Sequence, residues 1–165
     1  MSDICCIEEN QLKPIRPVYG EFIRTFTFGG GLQEPIVQPG GSVVFPVATV
    51  SRGVTYVDED DRVGLLVPRG TYLVSFTLVP GAERTVNLLV NGNIPTTSTA
   101  FQYGQSITTT DILDVSYLIK APLRRNNLIS IVNASDDLFA LGKLPNSTIG
   151  DTSVITKIRV QRLGK

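Results

Sequence analysis

The chain contains no histidine and no tryptophan, a single methionine and only two cysteines among 165 residues. Without histidine there is no Ser–His or Cys–His nucleophile pair, no imidazole-ligated metal and no unperturbed side chain that titrates near neutrality. Basic and acidic side chains balance at 15 each. No run of Lys and Arg supplies the field that binds a phosphate backbone, so nucleic acid is not an expected partner. Long apolar runs are missing as well. The stretch Leu65-Leu66-Val67 is far shorter than the roughly 20 residues that span a bilayer, and no membrane insertion is expected. The opening Met1-Ser2-Asp3-Ile4-Cys5-Cys6-Ile7-Glu8-Glu9 has acid where a secretory signal has base, which predicts synthesis in the cytosol without a signal peptide. With no nucleophile–base pair, metal set or cofactor loop to assemble, the expectation is a protein that is not an enzyme and carries no cofactor.

What is present supports a core. Apolar residues make up 42% of the chain, and a chain of this length hides roughly two thirds of its extended surface on folding. Fifteen glycines and ten prolines recur along the sequence between short β-branched and aromatic runs, and no segment holds a helical period. This predicts an all-β antiparallel sandwich or barrel. The clearest strand lies between Gly70 and Pro80, where Tyr72, Val74, Phe76 and Leu78 alternate with Ser75 and Thr77. The same test predicts strands at 21–28, 42–45, 50–57, 62–67, 84–90, 101–109, 113–120, 127–132, 138–142 and 153–163. Asn91-Gly92 and Pro80-Gly81 signal tight turns, and Arg124-Arg125-Asn126-Asn127 a polar one.

Residues 1–18 differ from the rest. Ile4, Ile7, Leu12, Ile15 and Val18 are widely spaced, and Pro14 and Pro17 favour extended backbone. The expected organisation is an N-terminal arm over 1–18 and a head domain over 19–165.

Four segments carry a family resemblance. Gly70-Thr71-Tyr72-Leu73-Val74-Ser75-Phe76, Val90-Asn91-Gly92, Asn127-Leu128-Ile129-Ser130-Ile131-Val132-Asn133 and Ile155-Thr156-Lys157-Ile158-Arg159-Val160 resemble, in order and spacing, jelly-roll modules of the complement-head and tumour-necrosis-factor-like superfamily. The likeness covers 19–163 and is nearest to bacterial modules of the exosporium and of thin endospore appendages. It implies a jelly roll of about ten short strands, an obligate homotrimer and a place on the spore surface. The collagen-like Gly-x-y stalk of many spore-surface members is absent here, which favours a small building block. Neither the calcium site nor the receptor site of vertebrate members transfers to residues of this chain.

Several motifs are weighed on their own chemistry. Adjacent Cys5 and Cys6 disfavour a bond to each other, because that ring strains the intervening peptide; pairing between subunits and two free thiols are the alternatives. Asp58-Glu59-Asp60-Asp61 reads as a solvated loop, since consecutive acids lack the alternation of a calcium loop. Gly29-Gly30-Gly31 and Gly40-Gly41 read as turns, with no Lys-Ser/Thr and no helix after them. Asn133-Ala134-Ser135 and Asn146-Ser147-Thr148 match the glycan acceptor pattern, which applies only in a eukaryotic secretory route. Threonines over 96–110 read as solvent-facing strand residues rather than O-glycan acceptors.

An extended arm of eighteen residues reaches roughly 60 Å, against a diameter of about 40 Å for the head. The expected function is therefore a structural subunit that trimerises and stacks into a fibre. In it Ile4, Ile7, Leu12 and Ile15 dock on the neighbouring trimer, Cys5 and Cys6 cross-link subunits, and a surface anchor or tip protein is a further partner. The alternative is a trimeric head, as of a filament tip or phage decoration protein, that binds a receptor or glycan through its loops.

Overall fold

A computed structural model of the chain describes residues 16–28, 35–80, 84–95, 105–107, 112–146, 148–149 and 152–164. Thirteen strands follow in order: β1 Tyr19–Phe26, β2 Ile36–Val37, β3 Val47–Arg52, β4 Thr55–Glu59, β5 Arg62–Val67, β6 Gly70–Leu78, β7 Arg84–Val90, β8 Gln105–Ile107, β9 Leu113–Ala121, β10 Asn127–Asn133, β11 Phe139–Ala140, β12 Thr148–Ile149 and β13 Thr152–Gly164. No helix among the described residues is long and apolar enough to cross a membrane.

Two antiparallel sheets face each other. One has the order β3-β1-β13-β6-β9, with β12 beside β13, and the other has β4-β5-β10-β7-β8. Eight long-path strands explain this order. Taken in chain order, β1, β5, β6, β7, β8, β9, β10 and β13 pair first with last, second with seventh, third with sixth and fourth with fifth. The chain is thus one long hairpin rolled across two layers, closed by β13 on β6 and β10 on β7. That is a jelly roll, as the sequence resemblance implied.

Alternation sets the layers. Tyr72, Val74, Phe76 and Leu78 of β6 meet Leu65, Ile129, Ile131 and Leu88 from the opposite sheet in one core, and Phe22, Phe26 and Phe28 all pack in it. Phe76 stacks on Tyr117 with ring centroids 6.0 Å apart. Ile23, on the other face of β1, belongs to a small second core with Leu144 and Val154.

The Gly-x-Tyr motif has a local cause. Tyr72 is fully buried and its hydroxyl donates to Pro68 O at 2.8 Å, while a side chain at Gly70 would stand 2.7 Å from Arg162 Cδ. Asn91 and Gly92 both take positive φ, 53° and 78°, as a tight turn of this residue pair requires.

Two expectations need correction. The strand expected over 50–57 is two strands in different sheets, because Gly53 at φ 71° turns the chain from β3, which pairs with β1, to β4, which pairs with β5. Residues 42–45 form no strand beyond the single bridge of Ser42 to Val132, although Val43 and Phe45 are buried. Asn133 is no glycan acceptor in the folded protein: it is fully buried, and its Nδ2 donates to Val37 O at 3.1 Å and Asp137 O at 2.8 Å. The two-residue strands β2 and β12 had no sequence expectation, and of the 101–109 segment only β8 lies within the described residues.

Candidate assembly surface

The outer face of the six-stranded layer is built row by row from the register. Across β9, β6, β13, β1 and β3, the first row reads Leu118, Leu73, Gln161, Tyr19, Arg52. The second reads Ser116, Ser75, Arg159, Glu21, Val50, and the third Asp114, Thr77, Lys157, Ile23, Val47. At about 4.8 Å between strands a row is roughly 19 Å wide.

Eleven large apolar side chains are exposed among the described residues, and five of them, Tyr19, Val47, Val50, Leu73 and Leu118, stand on this face. Leu73 and Leu118 are directly opposed and each is 37% exposed. The outer face of the other layer also carries aliphatic residues, including Leu66 and Leu128, but these are half-buried.

The polar positions between the apolar ones are paired within the face. Ser75 Oγ and Ser116 Oγ lie 2.7 Å apart, and Thr77 Oγ1 donates to Asp114 Oδ1 at 3.1 Å. Glu21 accepts from Arg159 Nε and from Thr49 Oγ1 at 3.1 Å, with Lys157 Nζ at 3.4 Å. Burial pushes the Glu21 carboxyl up, but Arg159, Thr49 and Lys157 together outweigh it and hold the group below its ordinary value. The face therefore offers exposed aliphatic and aromatic groups around a central ion-pair cluster of Glu21, Lys157 and Arg159. A groove of about 330 Å³ runs beside it, lined by Pro17, Tyr19, Glu21, Val50, Arg159 and Arg162.

Residues 16–18 lie at the edge of this groove. Arg16 O accepts from Arg162 Nη2 at 2.5 Å, Val18 O accepts from Arg162 N at 2.8 Å, and Val18 is buried in the main core. Cys5 and Cys6, and the docking candidates Ile4, Ile7, Leu12 and Ile15, lie outside the described residues, as do Gly29-Gly30-Gly31 and the threonines of 96–110.

The acidic stretch forms the turn between β4 and β5 and is exposed, as expected. Tyr56 donates to Asp58 Oδ2 at 3.2 Å, and burial and then the Asp58 charge push its phenol up to about 12. Among the described residues no group of three or more His, Cys, Asp or Glu is placed to hold a metal ion.

Sequence reasoning missed the outward members of β6, β9, β1 and β3. The signal was available in part: in a strand with one buried face, Leu73 falls at an even step from Ser75 and Thr77 and so belongs on the wet side.

No protein-family model matches the chain, and no curated protein matches it. Among solved structures the chain is similar to Eiger TNF from S. frugiperda, at 14% identity and a TM-score of 0.44, over 90% of this chain and 94% of that one. It is also similar to the PRD1 vertex protein, at 14% identity and a TM-score of 0.31, over 88% of this chain and 72% of that one. At these values the likenesses bear on no activity or partner.

Proposed function

We propose that the chain is a structural, self-assembling subunit. Three heads associate through the outer face of the six-stranded layer, and trimers stack head to tail into a fibre on an endospore surface. The arm of each chain docks on the neighbouring trimer through Ile4, Ile7, Leu12 and Ile15, and Cys5 and Cys6 cross-link adjacent subunits. The observation that carries the association is the set Tyr19, Val47, Val50, Leu73 and Leu118, exposed together on one sheet face around the Glu21, Lys157 and Arg159 cluster. Such a face loses apolar exposure on association while its central charges stay paired and those at its margins, Arg52 and Asp114, can remain at a wet rim. The place on a spore rests on the sequence resemblance alone.

Light scattering on the full chain tests the first step. Wild-type protein is expected to form particles of three chains or of stacked threes, while Leu73→Glu/Leu118→Glu yields folded monomers with an unchanged circular dichroism spectrum. A wild-type monomer, or a variant that remains trimeric, refutes the use of this face. Removing residues 1–15, which leaves Val18 in the core, tests the arm by electron microscopy: persisting fibres reject the connector. Non-reducing electrophoresis tests the cross-link, and an unshifted band rejects it. The second reading, a trimeric head that binds a glycan or receptor, is favoured by one feature, the open groove of about 570 Å³ between Asn91–Pro95 and Lys120–Pro122. Fibres without binding to immobilised glycans exclude that reading.

A further inference from the structure

The formal charge of zero conceals a strong separation along the strand axis. At the end where β6 begins and β9 and β13 finish stand Arg16, Arg52, Arg69, Lys120, Arg124, Arg125 and Arg162, with no carboxylate beside them among the described residues. At the opposite end stand Asp58, Glu59, Asp60, Asp61, Asp114, Asp136 and Asp137. These seven outnumber the cations there, Arg24, Arg62, Arg84, Lys143 and Lys157: Arg24 is half-buried, Arg62 is 4.0 Å from Glu59, Lys143 covers the Phe28 ring at 4.8 Å, and Lys157, level with Asp114, is 3.4 Å from Glu21. Glu21 and Arg159 pair at mid-height.

Exposed apolar residues divide in the same way. Of the six large ones not on the outer face, Ile94, Leu123 and Leu163 lie at the basic end and Ile36, Ile112 and Leu138 at the acidic end, each 46–56% exposed. Each end thus presents a few aliphatic contacts among charge of predominantly one sign, and the opposite sign predominates on the other end of the same molecule.

We infer that the two ends are complementary docking surfaces for a second copy of this chain, the basic end of one head seating on the acidic end of the next. This deepens the fibre reading and rests on it. A contact between two different surfaces related by translation does not close, so it propagates, and it gives every head in the fibre the same direction. The arm leaves the head at Arg16, on the basic end, and so starts beside the acidic end of the next copy. Like ends repel, which excludes antiparallel stacking.

Two variants of the full chain test this. Arg124→Glu/Arg125→Glu reverses the charge of the β9–β10 loop at the basic end, and Asp60→Lys/Asp61→Lys reverses that of the β4–β5 turn at the acidic end. Each alone is expected to lose roughly tenfold in sedimentable polymer at low salt, because the reversed loop or turn then meets charge of its own sign. The decisive arm is an equal mixture, in which the two variants alternate and polymer returns. Wild-type stacking is expected to weaken as NaCl rises from about 20 mM to about 500 mM, where screening shortens below the reach of such pairs. Fibres unchanged in both variants overturn the end contact and leave the arm reading standing. A wild type that never exceeds a trimer overturns both. Failure of the mixture to polymerise, or retention of the basic end by single-stranded DNA with stacking unaffected by Arg124→Glu/Arg125→Glu, also overturns it.

Discussion

Asn127 is the first residue of β10 and is fully buried. Its side-chain amide makes four hydrogen bonds: Nδ2 donates to Leu123 O at 2.8 Å and Val67 O at 3.2 Å, while Oδ1 accepts from Leu123 N at 2.8 Å and Asn91 Nδ2 at 3.1 Å. One side chain thus ties together the β9–β10 loop, the end of β5 and the Asn91-Gly92 turn. Replacing Asn127 with Ala removes all four at once. A neutral hydrogen bond is worth about 1 kcal/mol net, and a buried polar group left without a partner costs about 1–3 kcal/mol. Leu123 is half exposed, so its peptide groups can turn to water, whereas the Val67 carbonyl sits inside the layer. Two bonds lost at the loop and two at the strand ends give a destabilisation of about 3–4 kcal/mol. For a domain of this size that is a fall of roughly 10 °C in Tm. Urea unfolding followed by circular dichroism measures it, with the midpoint falling and the slope unchanged. Asn127→Asp sharpens the test: it keeps the shape but sets a carboxylate against two carbonyls, so its stability should rise as pH falls and the group protonates. A loss below about 1 kcal/mol for Asn127→Ala would show that the amide does not hold this end of the sandwich.

Further outcomes follow from other contacts. Gly64→Ala should prevent folding or reduce stability by several kcal/mol, about 3 or more, because Gly64 has φ 153° and a Cβ there would stand 2.3 Å from Ile129 O; thermal melting of the purified variant checks it. The phenol of Tyr56, raised by burial and by Asp58, gives stability that is complete below pH 10 and is lost as pH rises toward about 12; Tyr56→Phe should flatten that limb, read as the unfolding midpoint against pH. Glu21, held low by Arg159, Thr49 and Lys157, gives stability present above its ordinary value of 4.5 and lost as pH falls through its lower folded value. The gap between wild type and Glu21→Gln should therefore close in acid.

The strands most legible in the sequence were those ended by turn residues and alternating cleanly, and β5 and β7 fall on the residues expected. The break at Gly53 was not legible, since Val50, Val54 and Val57 read as one β-rich run; only the transfer of the chain between layers makes it two. The charged ends were hidden for a different reason. Arg16, Arg52, Arg69 and Arg162 are far apart along the chain, and only Lys120, Arg124 and Arg125 share one short stretch of sequence. Rolling the hairpin is what gathers them, because every second connection ends on the same side. The outer-face leucines were legible as alternation, but not as a set, because their grouping depends on which strands become neighbours.

The position of β1 has a mechanical consequence. Tension entering the head at Arg16 pulls β1 lengthwise between β13 on one side and β3 on the other. Antiparallel ladder bonds run across the strands, so such a pull loads the bonds of both ladders together in shear instead of opening them one after another like a zip. A chain of heads joined through that strand would yield first at its joints, and the heads would survive a break.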